Sequence, residues 1–236
     1  MPVLALRAKP YKENGQLLDL FSAQTGVLRA VAHGSLKPSS PLKGVLQPFC
    51  LAQATIAQGK GMPIVKNANL IRAFNFAPPV SFCAQYLNEL VFFLLEKEVP
   101  QPGIFGWYVD ALCSLESGED AMEPTLRAFE MAVLDDIGYG IDLERDFEGR
   151  RLSSTSYYSF NPGVGLVPRS AESSETEFFT GASLNAVAKR DFAEKDARAA
   201  AKKICRRAIA ERTGGRNFVS RELCARYYQS RRRQRN

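Results

Sequence analysis

The stretch VLALRAKPYKENGQLLDLFSAQTGVLRAVAHG, residues 3–34, contains three apolar runs of strand length, separated by the turn sequences ENG and QTG. Two further runs, residues 48–58 and 62–74, flank the glycine-rich turn GKG. Five short strands in succession predict a small barrel, and five is the strand count of an OB-fold. An SH3-like barrel would give much the same pattern.

The spacing of the apolar residues changes after Pro78-Pro79. From Val80 to Val99 they recur on one helix face, and this stripe consists of Val80, Cys83, Ala84, Leu87, Leu90, Val91, Leu94 and Leu95. Further helices are predicted at about residues 104–115, 125–137, 183–189, 194–215 and 220–230. Of the last two, the first has a glycine C-cap and the second a serine N-cap.

These patterns predict an α+β chain of two domains. Residues 1–77 form an N-terminal five-stranded OB-fold β-barrel. Residues 78–236 form an all-α helical domain with basic C-terminal helices. That domain carries an irregular insertion at about residues 142–181, with a hairpin pattern in STSYYSFNPGVGLVP and a Ser/Glu-rich segment, SAESSETE, expected to be a mobile loop. The tail RRRQRN is expected to fray.

The net charge of +6 is unevenly distributed along the chain. Residues 1–77 have nine basic and two acidic residues, net +7, and residues 189–236 have sixteen and five, net +11. Residues 78–188 have six and eighteen, net −12. Clustered lysine and arginine release condensed counterions when they meet phosphates, so two basic ends predict a polyanionic partner.

Several function classes find little support in the sequence. The five scattered cysteines suit reduced thiols, and the single histidine, His33, has no cysteine near it, so neither a metal nor a cofactor is expected. GVGLVP has proline where a dinucleotide fingerprint needs its third glycine, and GSLKPSSPLKGVLQPF, residues 34–49, lacks the order of a phosphate loop. Without a long apolar run or a signal-peptide pattern, a cytoplasmic protein that avoids membranes is expected.

Two groups of side chains are candidates for binding DNA. The barrel group mixes cations with an aromatic ring that can stack on a base, and its members are Arg7, Lys9, Tyr11, Arg29, Lys37 and Lys43. The C-terminal group lies on or beside the basic helices, and its members are Lys202, Lys203, Arg206, Arg216 and Arg221. Lys37 and Lys43 belong to residues 34–49, which we interpret as a basic loop whose Leu46 and Phe49 return to the core.

Four segments together resemble the RecO family of bacterial DNA repair and recombination proteins. They are AHGSLKPSSPLKGVLQPF, YLNELVFFLL, LRAFEMAVLDDIGYGIDL and GGRNFVSREL, in family order along nearly the whole chain. The resemblance implies an OB-fold followed by a helical domain and no enzymatic activity. The zinc site of some family members is not carried over, because residues 142–181 contain no cysteine.

The same resemblance implies the partners. RecO-like proteins bind single- and double-stranded DNA, anneal complementary strands, and with RecR help RecA displace single-strand binding protein in the bacterial cytoplasm and nucleoid. They also recognise the acidic C-terminal tail of that protein. Arg127 is our candidate for the tail's carboxylate, and the alternative is an i to i+3 ion pair with Glu130.

A nucleic-acid-processing enzyme, such as a metal-dependent nuclease, is the alternative function. It would need a carboxylate cluster that holds Mg²⁺ inside a basic groove. A protein that binds anionic membranes is a weaker alternative, because the basic helix at 197–210 has mostly alanine on its apolar face.

Overall fold

In a computed structural model, residues 1–59, 61–169 and 177–233 of the chain are described. Its first five strands are β1 (Pro2–Tyr11), β2 (Gly15–Ser22), β3 (Gly26–Ala32), β4 (Cys50–Ala57) and β5 (Ile64–Ala73). They close into a barrel in the order β1-β2-β3-β5-β4, in which β3 pairs with β5 in parallel and the other pairs are antiparallel. This closed barrel confirms the predicted OB-fold. Lys60, in the predicted GKG turn, lies outside the described residues.

Small and branched apolar side chains fill the interior of the barrel. The buried strand residues are Val3, Ala5, Leu18, Leu20, Ala30, Ala32, Ala52, Ala54, Val65 and Ala68. Leu42 and Leu46, from the segment between β3 and β4, join the same cluster and are 6% and 2% exposed. Residues 34–49 therefore pack two leucines into the barrel core as well as connecting two strands, while Phe49 is half-buried.

A bulge in β1 decides which of its side chains face outward. The pairing of β1 with β2 shifts register between Ala5 and Arg7. Ala5 belongs to the core, and after the shift Ala8 is the residue that packs against the core. Because one extra residue reverses the alternation of a strand, Arg7, Lys9 and Tyr11 alternate with Ala8 and lie on the outer face.

Two helices cover part of that outer face, α1 (Val80–Leu94) and α2 (Pro102–Leu115). Phe21 of β2 is fully buried against the rings of Phe105 and Tyr108, with centroids 5.3 and 6.0 Å away. Edge-to-face rings of this kind contribute about 0.5–1.5 kcal/mol each beyond the burial of their area. The aromatic contacts therefore hold α2 on the barrel.

Buried polar side chains of α1 secure both the barrel and the last helix, α6 (Val219–Arg233). Asn88 donates from Nδ2 to the carbonyl of Leu6, 3.2 Å away, and accepts a hydrogen bond from Tyr108. The carboxylate of Glu89 accepts from the N–H groups of Val219 and Ser220, at 3.1 and 3.2 Å, and from the Ser220 hydroxyl, at 2.6 Å. A carboxylate at a helix N-terminus satisfies its unpaired donors.

The predicted serine N-cap of this helix is wrong. The helix already begins at Val219, so Ser220 lies in its first turn. The Ser220 N–H instead donates to Glu89, 131 residues earlier in the chain. Such a distant partner cannot be predicted from the local sequence.

The remaining elements are a 3-10 turn (Glu119–Ala121), α3 (Met122–Asp136), β6 (Tyr157–Asn161), β7 (Gly165–Arg169), β8 (Phe179–Thr180), α4 (Gly181–Ala188) and α5 (Lys195–Arg212). β6 and β7 form the predicted hairpin, and β8 adds a short third strand in the order β7-β6-β8. The predicted glycine C-cap of α5 is confirmed, because Gly214 and Gly215 have positive φ and the Gly215 N–H donates to Ala210 at 2.7 Å. Most of the segment expected to be a mobile loop lies outside the described residues.

The chain divides into two compact units whose bounds differ from those of the predicted domains. One unit comprises Met1–Met122 with the segment that begins at Asn217, and the other comprises Glu123–Arg216. Helices α1, α2 and α6 thus belong to the same unit as the barrel. Within the described residues, no helix is long and apolar enough to cross a membrane.

Candidate nucleic-acid interface

The outer face of β1, β2 and β3 brings together four of the predicted DNA-binding residues. Arg7 lies opposite Asp19, which in turn lies opposite Arg29, so these three residues form one row across the strands. Lys9 and Tyr11 follow Arg7 at two-residue steps on the same face of β1. Lys9 is exposed, while Arg7 and Tyr11 are half-buried. The face therefore presents three cations and one aromatic ring.

Asp19 holds one of these cations in place. Its Oδ1 accepts a hydrogen bond from Nε of Arg29 at 2.8 Å, and the Arg29 side chain remains 53% exposed. This hydrogen bond is the main reason why the pKa of Arg29 is raised above its ordinary value, followed by the charge of Asp19. The carboxylate orients Arg29 and offsets one positive charge of the row.

Aromatic and cationic side chains at the end of α1 extend this face, and the sequence interpretation missed them. The guanidinium carbon of Arg7 lies 3.7 Å from the ring centroid of Phe92 and 5.2 Å from that of Phe93. Lys97 places its Nζ 3.7 Å from the Phe92 centroid. A signal was present in the sequence: Phe92 and Phe93 fall outside the apolar stripe of the helix, and large rings off the buried stripe suggest a surface role.

The loop at residues 34–49 presents its two lysines to solvent. Lys37 and Lys43 are both exposed. The Leu36 N–H donates to the carbonyl of Asn14 at 3.0 Å, which holds the loop beside the turn between β1 and β2. Lys37 therefore lies near the Tyr11 end of the outer face, and Lys43 directly follows Leu42, which packs into the barrel core.

Carboxylates accompany the predicted basic residues of α5. Lys202 donates to Glu123 at 2.8 Å, and Lys203 is 3.2 Å from Glu177, which also pairs with Arg207. The hydrogen bond from Lys202 is the largest cause that lowers the pKa of Glu123 below its ordinary value. Arg198 also lies 3.7 Å from Glu123, so four of the seven basic residues of α5 meet a carboxylate within their own compact unit, whereas Arg206 is exposed.

The other two C-terminal candidates belong to different compact units. Arg216 is exposed at the end of the second unit. Arg221, in α6 of the first unit, donates to the Tyr86 hydroxyl at 2.6 Å, and its guanidinium carbon lies 4.7 and 4.6 Å from the ring centroids of Tyr86 and Phe218. Arg221 is half-buried, so part of its role is to join α6 to α1.

The candidate for the peptide carboxylate, Arg127, lies in the interior of the second unit. It is 4% exposed and donates from Nη2 to Glu130 at 2.9 Å, the i to i+3 pair that was its alternative. Its Nε and Nη1 find no hydrogen-bond partner among the described residues. Cys205 lies close to this pair, and burial, followed by the charge of Glu130, raises the pKa of its thiol.

A closed five-stranded barrel with a cationic and aromatic outer face is the architecture of OB-fold proteins that bind nucleic acids. The chain matches the family models "Recombination protein O N terminal" over residues 2–74 and "Recombination protein O C terminal" over residues 79–222. It therefore belongs to the recombination protein O family.

Relatives from two genera show the same likeness over nearly their full length. The chain is 34% identical to a DNA repair protein RecO of Tolumonas auensis over 229 residues, covering 94% of this chain and 93% of the relative. It is 37% identical to that of Pseudomonas paraeruginosa over 222 residues, covering 92% and 91%. The family that the four sequence segments resemble is thereby confirmed.

Proposed function

We propose that this protein is a recombination mediator that binds single- and double-stranded DNA and anneals complementary strands in recombinational repair. The observation that carries the proposal is the outer face of the barrel, where Arg7, Arg29 and Lys9 converge beside the ring of Tyr11. Cations can follow a phosphate backbone while the ring stacks on bases, without preference for a sequence.

Annealing follows from neutralised charge, with no bond made or broken in the DNA. Phosphates bound along the outer face would lose much of their mutual repulsion, so a second strand could approach and pair. The C-terminal cations of the second unit, Lys202, Lys203, Arg206 and Arg216, are proposed to hold that second strand or a duplex arm, and Arg221 is proposed to contact DNA as part of the first unit. The carboxylates beside α5 reduce the charge available there, so we assign the tighter DNA contact to the barrel.

An annealing assay without any nucleotide cofactor tests this function. Complementary oligonucleotides should pair faster with the protein than without it. If about six phosphates of a single strand are neutralised, the slope of log affinity against log salt should be near −4. No acceleration, together with a slope near zero, would contradict the proposal.

In this proposal the protein acts with RecR to help load RecA onto DNA coated with single-strand binding protein, in the cytoplasm and nucleoid of a bacterial cell. Arg127 remains our candidate for binding the acidic tail of that coating protein, since the N–H groups at its Nε and Nη1 have no hydrogen-bond partner among the described residues. A tail peptide would have to reach a side chain that is only 4% exposed. Pairing with Glu130 alone is the competing role.

Binding of a tail peptide and of naked DNA to Arg127→Ala separates the two roles of this arginine. Weaker peptide binding with intact DNA binding supports the docking role. Equal loss of both, with a lower melting temperature, would mean that the arginine serves only the interior of its unit.

The nuclease alternative has a direct test of its own. Among residues 1–59, 61–169 and 177–233, no group of three or more His, Cys, Asp or Glu side chains is arranged to hold a metal ion. Incubation of labelled single- and double-stranded DNA with the protein and Mg²⁺ should leave both intact. Cleavage that disappears with a chelator would replace the mediator proposal with an enzymatic one.

A further inference from the structure

The end of α1 places two cations on one aromatic ring. The Arg7 guanidinium carbon and the Lys97 ammonium nitrogen each lie 3.7 Å from the centroid of Phe92. A ring face attracts a cation and restricts its position. Phe92 therefore brings a cation of the barrel strand β1 and a cation beyond α1 to the same ring.

Two cations and one carboxylate of the barrel influence the pKa of Lys97. Asp19 raises this pKa, whereas the guanidinium groups of Arg29 and Arg7 lower it. Glu96 and Glu98, beside Lys97 in the chain, are exposed. Asp19 already accepts the hydrogen bond from Arg29. Partial burial is the main reason that the pKa of Lys97 is lowered, and the two arginines lower it further. An anion placed among the three cations would relieve this repulsion.

We propose that Arg7 and Lys97, both held on the Phe92 ring, form a phosphate-binding clamp that Arg29 completes from β3, and that its ligand is a backbone phosphate of a nucleic-acid strand. The inference rests on the proposed DNA binding and adds a site to it at the junction of the barrel with α1. Arginine offers a planar fork of donors and lysine a compact charge, so together they can hold oxygens on two sides of one phosphate.

The position of the clamp also defines a path for the strand. Arg7 and Tyr11 are four residues apart on the same face of β1, and at about 3.3 Å per residue they lie roughly 13 Å apart. A strand whose phosphate occupies the clamp can pass Lys9 and place a base on the ring of Tyr11. The clamp therefore marks one end of the nucleic-acid path along β1.

Lys97 also has a structural role that any test must separate from phosphate binding. Its Nζ lies 3.4 Å from the carbonyl of Phe92, near the C-terminal end of α1, where a cation stabilises a helix. Loss of that contact would lower the melting temperature but would not change the number of phosphates bound. The salt dependence of DNA binding therefore distinguishes the two roles.

The test compares Lys97→Gln with Lys66→Gln by fluorescence anisotropy on a labelled oligo-dT strand over a range of salt concentrations. Lys66 is an exposed lysine of β5 and serves as the control for the loss of one positive charge. Lys97→Gln should weaken binding about tenfold and make the salt slope shallower by about 0.7. Phe92→Leu, which keeps both cations but removes the ring, should also weaken binding. Lys97→Arg, which keeps the positive charge, should bind DNA as tightly as the unmodified protein.

A measurement on the unmodified protein tests the clamp without depending on whether the variants fold. Acetylation of lysines, followed by mass spectrometry, should find Lys97 protected by the oligonucleotide and Lys66 unaffected. If Lys97→Gln matches Lys66→Gln and Lys97 stays reactive, the clamp is overturned while DNA binding stands. If the unmodified protein has no salt-dependent DNA binding, the proposed function and the clamp are overturned together.

Discussion

The outer face of the barrel and helix α5 are both rich in basic residues, yet the two surfaces use them differently. On the barrel, Arg7 lies on aromatic rings and a single carboxylate, Asp19, accompanies the row of cations. On α5, Glu123 and Glu177 pair with four of the seven basic residues. Where carboxylates from elsewhere in the chain fold against a basic segment, the net charge of that segment overstates the charge that is free to meet phosphate.

Removal of charge from each surface is the strongest test of this comparison. The double variant Arg7→Gln with Lys9→Gln should lower affinity for single-stranded DNA roughly a hundredfold, because two charged contacts of the outer face are lost. Lys202→Gln with Lys203→Gln removes the same charge from α5 and should lower it about threefold or less, because exposed ion pairs already occupy those lysines. Anisotropy titrations at one salt concentration measure both.

Equal losses in the two double variants would contradict the difference between the surfaces. Thermal melting followed by circular dichroism is the control, since Arg7→Gln removes the contact of this side chain with the rings of Phe92 and Phe93. A variant that melts much earlier than the unmodified protein is compared only at a temperature where it is folded.

The loop at residues 34–49 is expected to have an intermediate effect. Lys37→Glu combined with Lys43→Glu reverses two exposed charges and should lower DNA affinity about tenfold, because the loop lies beside the Tyr11 end of the outer face. The core leucines are untouched, so stability should not change. Unchanged affinity in the same titration would mean that the segment only connects strands and completes the core.

Removal of a carboxylate that pairs with the α5 cations should raise DNA affinity instead of lowering it. Glu177→Gln removes the partner of Lys203 and Arg207, so DNA affinity should rise about threefold and the salt slope should become steeper. Glu222→Gln, an exposed glutamate of α6, is the matched control for loss of one negative charge. An equal rise in both variants would mean that net charge alone, rather than the ion pair, sets the affinity.

The smallest expected effect is the dependence of stability on pH at Glu123. Its pKa is lowered in the folded protein, so its contribution to the free energy of unfolding is fully present above the ordinary pKa of a glutamate. The contribution is lost as the pH falls through the lower, folded pKa. The pair with Lys202 is exposed, so its contribution is about 1 kcal/mol or less.

Urea denaturation between pH 6 and pH 3 can measure this contribution at roughly half-unit steps. The difference in stability between the unmodified protein and Glu123→Gln should shrink toward low pH. A difference that stays constant with pH would show that the pair does not contribute through the charge of Glu123.

Local patterns predicted most of the elements because their causes are local. Turn residues between apolar runs gave the strands of the barrel, and Gly138 and Gly214 mark the ends of α3 and α5, as positive φ values require. The partners of the basic residues could not be predicted, because Lys202 meets a carboxylate 79 positions away. Lys97 was missed for the same reason, since its neighbours on the barrel are distant in sequence.

Residue type and spacing over a few positions are enough to predict a five-stranded barrel, a helical remainder, basic ends and the four segments that mark the family. Which side of β1 carries the cations depends instead on the pairing of strands. Arg7 and Lys9 lie two and four residues after Ala5, which faces the core, so a regular strand would point them inward as well. Only the bulge before Arg7 turns them outward. A bulge arises from pairing with β2, so the alternation of β1 alone could not reveal it.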